Sequence, residues 1–358
     1  MKRLVSVLGP AFLAVLVAWS VFAGAESVSA TPQSSADQNA NYSVRTLALP
    51  DGNLGDVSMD YIVYDAGTNS VWVPGGNTGA VDVVDAATGK VRQITGFPTK
   101  EVEVGGSKRL VGPSGVSIGV GVAYIGSRGD SSICAVNLRT LVRGTCGHID
   151  NTPDAVVYVA TTKEVWVTVP ADKTIRVLDG KTLEQKGKMT FEGAPEGYSV
   201  DVKNGRFYTN LEDKDRTLAI DPKTQKIVSN WDTGCGKEGP RGLIADPIGN
   251  RVYVACTTSV RVLDMAHDGA LLSMVDTGEG VDDMSYSQAT HLLYVAASRS
   301  AKLTIARVDE KGQLSVVATV PTKDGVRNAV VAKDGTVYMA HSRFANISGL
   351  LVATPGKK

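Results

Sequence analysis

Six ionisable side chains stand at a nearly fixed distance before a recurring aromatic residue. Asp60, Asp154, Glu196, Arg241 and Asp282 each precede it by 12 positions, and Arg327 by 11. Ser114 holds the equivalent place once, at 10 positions. Arg241 and Arg327 could clamp a carboxylate or phosphate in a two-pronged grip. The four acids, with Asn210, could instead hold a hard cation such as Ca²⁺ through oxygen ligands. The plain alternative is that acids and arginines neutralise one another at a solvated surface. His341 follows another aromatic marker and is the best single candidate for acid–base work, against the ordinary outcome of a surface histidine at a strand end. His148, His267 and His291 do not converge with it. The chain contains no G-x-S-x-G, H-E-x-x-H or P-loop motif.

The elements that must position these residues are repeats. The marker is an aromatic residue in a short β-branched run: Val71-Trp72-Val73, Ala123-Tyr124-Ile125, Val165-Trp166-Val167, Phe207-Tyr208-Thr209, Val252-Tyr253-Val254, Leu293-Tyr294-Val295 and Val337-Tyr338-Met339. Successive markers are 52, 42, 42, 45, 41 and 44 residues apart. A second apolar run follows and ends in a polar residue, as in Val83-Val84-Asp85, Ala135-Val136-Asn137 and Val177-Leu178-Asp179. A turn and one more strand complete the unit, so each unit offers four short strands. Four strands in 40 to 50 residues are the signature of a propeller blade. The predicted fold is all-β: a seven-bladed β-propeller with four antiparallel strands per blade. The seventh unit supplies only three strands. Residues 42–50 resemble the fourth strand at 314–321 and are predicted to close the last blade, removing an open sheet edge.

In a propeller of this order, the residue leading into strand one and the loop joining strands two and three share one face. That places Asp60, Asp154, Glu196, Arg241, Asp282 and Arg327 at the axial mouth. Asn77, Arg128, Asn210, Glu212, Arg299, His341 and Arg343 stand around it. The stretch between Thr95 and Gly112 has no counterpart in the other units. Asp213-Lys214-Asp215 reads as a solvated charge run.

The units resemble the YVTN-repeat β-propellers, the YncE-like exported proteins in particular. Pro195-Glu196-Gly197-Tyr198-Ser199-Val200-Asp201 before Gly205-Arg206-Phe207-Tyr208-Thr209-Asn210 carries the likeness, and 239–254 repeats it. The resemblance spans about 42 to 352. It implies a recognition scaffold binding a small polar or anionic ligand, a glycan or a partner protein, as a monomer. The competing expectation is a metal-dependent hydrolase or lactonase of the gluconolactonase-like type. A third is an electron-transfer companion like the amine-dehydrogenase propellers, although no residue marks a redox centre.

The four cysteines fit this scheme. Cys134 and Cys146 fall on strands three and four of one blade, opposite each other across a turn near Thr140. Cys235 leads into the fifth unit and Cys256 ends its second strand; YncE-like relatives carry a similar pair. Disulfides Cys134–Cys146 and Cys235–Cys256 are expected, with a reactive or metal-binding pair as the alternative.

Composition sets the frame. Lys and Arg number 37 against 37 Asp and Glu, so a basic nucleic-acid surface is not expected. Hydrophobic residues make up 43% and charged residues 21%, as in a globular chain. Four histidines argue against a His-rich copper, haem or multi-zinc centre. Lys2-Arg3, an apolar run to Ala23 and Ala23-Gly24-Ala25 read as a signal peptide over 1–25, cut after Ala25 or, second, after Ala30. An uncleaved anchor is the alternative, and no later stretch is apolar enough to span. Residues 26–41 read as a flexible linker, 42–354 as one propeller domain and 355–358 as a tail. The expected location is the periplasm or outside the cell, where disulfides persist. Asn41-Tyr42-Ser43 and Asn346-Ile347-Ser348 match the glycosylation triplet.

Overall fold

The structure, a computed structural model, describes residues 42–54, 57–342 and 347–356. The expected signal peptide, linker and cleavage points, Arg343, Asn41, Asn346 and the last tail residues lie outside the described residues. Seven four-stranded antiparallel sheets follow one another along the chain, and their second strands carry the seven aromatic markers. The last blade is completed by Tyr42–Ala48, which pairs with Gly349–Pro355 in a register running from Tyr42 opposite Pro355 to Ala48 opposite Gly349. The expected closing strand is therefore present.

The markers sit in runs that are apolar on both sides because both sides are covered. Val71 and Val73 pack toward the seventh blade, whereas Trp72 packs toward the second. Val165 and Val167 face the second blade, and Trp166 the fourth. Side chains alternate across a strand, so a strand buried between two neighbours needs hydrophobes at every position. The described core accordingly divides into seven clusters, one at each junction between adjacent blades. The indole N–H groups of Trp72 and Trp166 donate to Ser70 Oγ and Glu164 Oε2, each at 3.1 Å.

In the first three blades the polar residue that closes the third strand folds the next turn. Asp85 Oδ1 accepts from the backbone N–H of Ala87 and Thr88, Asn137 from Arg139 and Thr140, and Asp179 from Lys181 and Thr182. These are Asx turns, which a short carboxylate or amide forms two residues ahead of itself. Near the axis a second device ties blades together. Ser117, Ser199 and Ser285 accept the backbone N–H of Tyr158, Ala245 and Val331 in the following blade.

Both disulfides form as expected. Cys134 and Cys146 are cross-strand partners, and Cys235 bonds to Cys256. The unmatched stretch after Thr95 is a two-stranded hairpin, Lys100–Val104 with Ser107–Val111, outside the seven blades.

Candidate functional site

At the axial mouth the acids and arginines meet. Asp60 lies where the first blade turns toward the axis, and both of its carboxylate oxygens are taken. Arg128 Nη2 reaches Oδ2 at 2.9 Å, and Arg327 Nη2 reaches Oδ1 at 2.9 Å. Arg128 also contacts Asp154, and Arg327 Nη1 lies 3.3 Å from Asp282. Through Asp60, two guanidiniums thus link residues of blades one, two, three, six and seven. Arg241 turns the other way, to Glu212.

Glu196 has a different partner. The Tyr61 hydroxyl stands 3.0 Å from its Oε1 and 3.3 Å from Asp154 Oδ2. One hydroxyl proton serves only one acceptor at a time, so the second carboxyl bonds to the hydroxyl oxygen only by holding a proton itself. The electrostatics agree. Burial, then the neighbouring Asp154 and Asp282, push Glu196 well above the usual carboxylate range. Burial lifts Asp154 to about 6 against the pull of Arg128. Deeper in the channel burial lifts Asp283 to about 7, beside Tyr198. Arg327 is held more firmly protonated by Asp282. For Arg128, burial works against the charge, but Asp60 and Asp154 outweigh it. The mouth therefore carries fixed positive charges beside carboxyls that burial holds above the usual carboxylate range.

Of the residues singled out from sequence, Asp60, Asp154, Glu196, Asp282 and Arg327 are brought together. Arg241 stands apart with Glu212 in the same region. Asn210 is a correction: it is fully buried, donating from Nδ2 to the carbonyl of Arg241 at 2.5 Å and accepting from Thr217 Oγ1 at 2.6 Å. It braces the backbone under Arg241. His341 is a second correction. It is wholly buried, with Nε2 2.8 Å from the Gly349 carbonyl and Nδ1 3.1 Å from that of Ser342. Its ring is taken up by the backbone carbonyl at the start of the next strand, Gly349–Pro355, and its own carbonyl accepts from Met59 of the first blade. It does not face the mouth. Tyr61, Asp283 and the hairpin residue Arg109 are additions. Tyr61 directly follows the periodic Asp60, and Asp283 follows Asp282, so adjacency was the available signal; Arg109 had none. Among the described residues, no three His, Cys, Asp or Glu side chains are gathered to hold a metal ion.

No family model matches the sequence, and no curated protein matches it. Solved structures do. The chain is similar to hydrazine synthase of Kuenenia stuttgartiensis at 14% identity and TM-score 0.67, over 83% of this chain and 95% of that one. It is similar to a chain of a mitotic checkpoint complex at 13% identity and TM-score 0.70, over 95% and 98%. Virginiamycin B lyase from Staphylococcus aureus follows at 9% identity and TM-score 0.67, over 88% and 99%. Such identities speak for the fold alone. The class is a seven-bladed β-propeller. No described helix is long and apolar enough to cross a membrane, and the two disulfides are compatible with an extracellular location.

Proposed function

We propose that the protein is an exported, non-catalytic binding propeller of the YVTN-repeat, YncE-like kind. Its axial mouth takes a small polar or charged ligand, a glycan or a segment of a partner protein. The supporting observation is the placement of charge. Asp60, Asp154, Glu196, Asp282, Arg128 and Arg327 converge where the propeller core needs none, at a rim that is only partly covered. Burying charge is costly without partners. A rigid ring holding such a set offers a pre-organised surface for complementary charge. The competing metal-dependent lactonase needs carboxylates free to coordinate, and here Asp60, Asp154 and Asp282 are engaged by guanidiniums.

Native mass spectrometry after incubation with panels of small carboxylates, amines and glycans tests the reading, together with metal analysis. The expected result is a ligand bound one-to-one and lost in the Arg327→Met variant while that variant stays folded. A stoichiometric divalent ion with lactone hydrolysis abolished by Glu196→Gln would replace this reading with the enzymatic one.

A further inference from the structure

The first strands of neighbouring blades stand side by side around the axis. Each begins at the mouth, so the residues that follow the mouth positions lie farther along the channel. At that far end a cavity of about 320 Å³ opens, within the size range of small-molecule sites. It shares no residue with the ion pairs of the mouth. Val63 and Ile244 belong to its apolar lining, and Tyr64, Tyr158 and Tyr198 bring three phenol rings to it. Asp283 is the one carboxyl among the described residues that line it, and no lysine or arginine is among them.

Asp283 lacks a counter-charge. It takes part in none of the ion pairs of the described residues. Its Oδ1 accepts the backbone N–H of Met284 at 2.8 Å. The charges acting on it are those of Asp282 and Asp60, both negative, and they add to the burial that raises it to about 7. The mouth arginines are already engaged, Arg128 by Asp60 and Asp154 and Arg327 by Asp60 and Asp282. The carboxyl is also firmly seated. A Cβ on Gly242 of the fifth blade would lie 2.1 Å from Asp283 Oδ1, so glycine is what leaves it room.

Tyr198 is its aromatic neighbour. Burial, then Asp283, holds the Tyr198 phenol above its ordinary range, so the ring stays neutral. A neutral phenol ring attracts a cation over its face. The Tyr61 ring, whose hydroxyl reaches the mouth acids, lies 6.2 Å from that of Tyr198.

We propose that the far end of the axial channel binds an organic ammonium ion with an apolar body. The ammonium lies against Asp283 and Tyr198, and the body lies along Val63 and Ile244. An anion would meet an uncompensated carboxylate there, and a neutral molecule would leave that carboxylate without a partner. A hard metal ion needs several oxygen ligands, and one carboxylate among apolar side chains does not supply them. The site is separate from the mouth and does not rest on the mouth's reading as a binding surface.

Calorimetry at about pH 8, above the Asp283 value of about 7, tests it with 2-phenylethylammonium, the neutral 2-phenylethanol and methylammonium. The phenylethyl ion should bind at least about tenfold more tightly than the alcohol, the factor one charge-assisted hydrogen bond contributes. It should also bind at least about tenfold more tightly than methylammonium, through the apolar area it buries. Asp283→Asn, which keeps the side-chain shape, should bring the ion down to the alcohol's level. The comparison of the three compounds uses the unaltered chain and decides the matter if Asp283→Asn folds poorly. Equal affinity of ion and alcohol, no binding of the ion, or a folded Asp283→Asn variant that still prefers the ion overturns the proposal. Methylammonium binding as tightly as the phenylethyl ion overturns it too, because the apolar body would then contribute nothing. Binding of the ion that is lost in Glu196→Gln but kept in Asp283→Asn places it at the mouth, which refutes the far site and leaves the mouth reading standing.

Discussion

Arg327 and Arg241 looked alike in the sequence, as two basic residues in equivalent repeat positions, yet substitution should separate them. Arg327→Met strips Asp60 and Asp282 of a shared partner, and these acids are 12% and 17% exposed. We expect a loss of about 2 kcal/mol, below the range for a fully buried pair because Arg327 retains some solvent. Arg241→Met frees only the half-exposed Glu212 and should cost about 0.5 kcal/mol. Denaturant midpoints of the two variants check the order; equal losses would refute the bridging role. Acidity gives a second residue-level outcome. Asp154, Asp283 and Glu196 have folded-state pKa values above those of the unfolded chain. The contributions of Asp154 and Asp283 are complete below about pH 4 and are lost as pH rises through about 6 and about 7 respectively. The turn aspartates Asp85 and Asp179 are shifted down by backbone N–H bonds, so their contribution is lost below about pH 4 instead. The protein should therefore unfold more easily at about pH 8 than at about pH 5, and Asp283→Asn should narrow that gap by about 1 kcal/mol. Unfolding curves at the two pH values would show an unchanged gap if Asp283 were ionised throughout. Position along a repeat was legible for Asp60, Asp154, Glu196, Asp282 and Arg327. Which way a side chain turns was not: His341 and Asn210 share the periodic placement but point into hydrogen bonds between strands.

At the level of elements, the two disulfides close loops of 12 and 21 residues. In the chain-entropy description each stabilises by about 3 kcal/mol. Paired Cys→Ser substitutions, followed by chemical denaturation, should show comparable losses. Peptide mapping without reductant should recover only Cys134–Cys146 and Cys235–Cys256, and crossed pairs would contradict the assignment. The first bridge was readable because a hairpin centred on one turn fixes which residues oppose each other. The Asx turns were readable as well, since Asp85, Asn137 and Asp179 recur at the same place in their units. Hairpin 100–111 was not, because repetition is the signal that reveals a blade and an insertion has none. The serine ties at Ser117, Ser199 and Ser285 escaped for a related reason: among the described residues they occur in blades two, four and six, and serine is common in any strand.

For the whole molecule, the ring stands on the pairing of Tyr42–Ala48 with Gly349–Pro355. Deleting residues 42–48 should leave a three-stranded blade with a bare edge. We expect a fall in melting temperature and concentration-dependent association by size-exclusion chromatography; a stable monomer would mean that closure contributes little. Closure was legible because the seventh unit visibly lacks a strand that the N-terminal segment resembles, whereas the place of Asp283 at the far end of the channel needed the third dimension. The same pairing imposes a timetable on biosynthesis. Leu47 meets Leu350, and at about 5–20 residues per second roughly 15 to 60 seconds separate their translation. During that interval the first strand waits without its mate while six blades assemble. Neighbouring nascent chains on one message could then exchange first strands, each finishing the other's last blade, and a chain halted before Gly349 can never close at all.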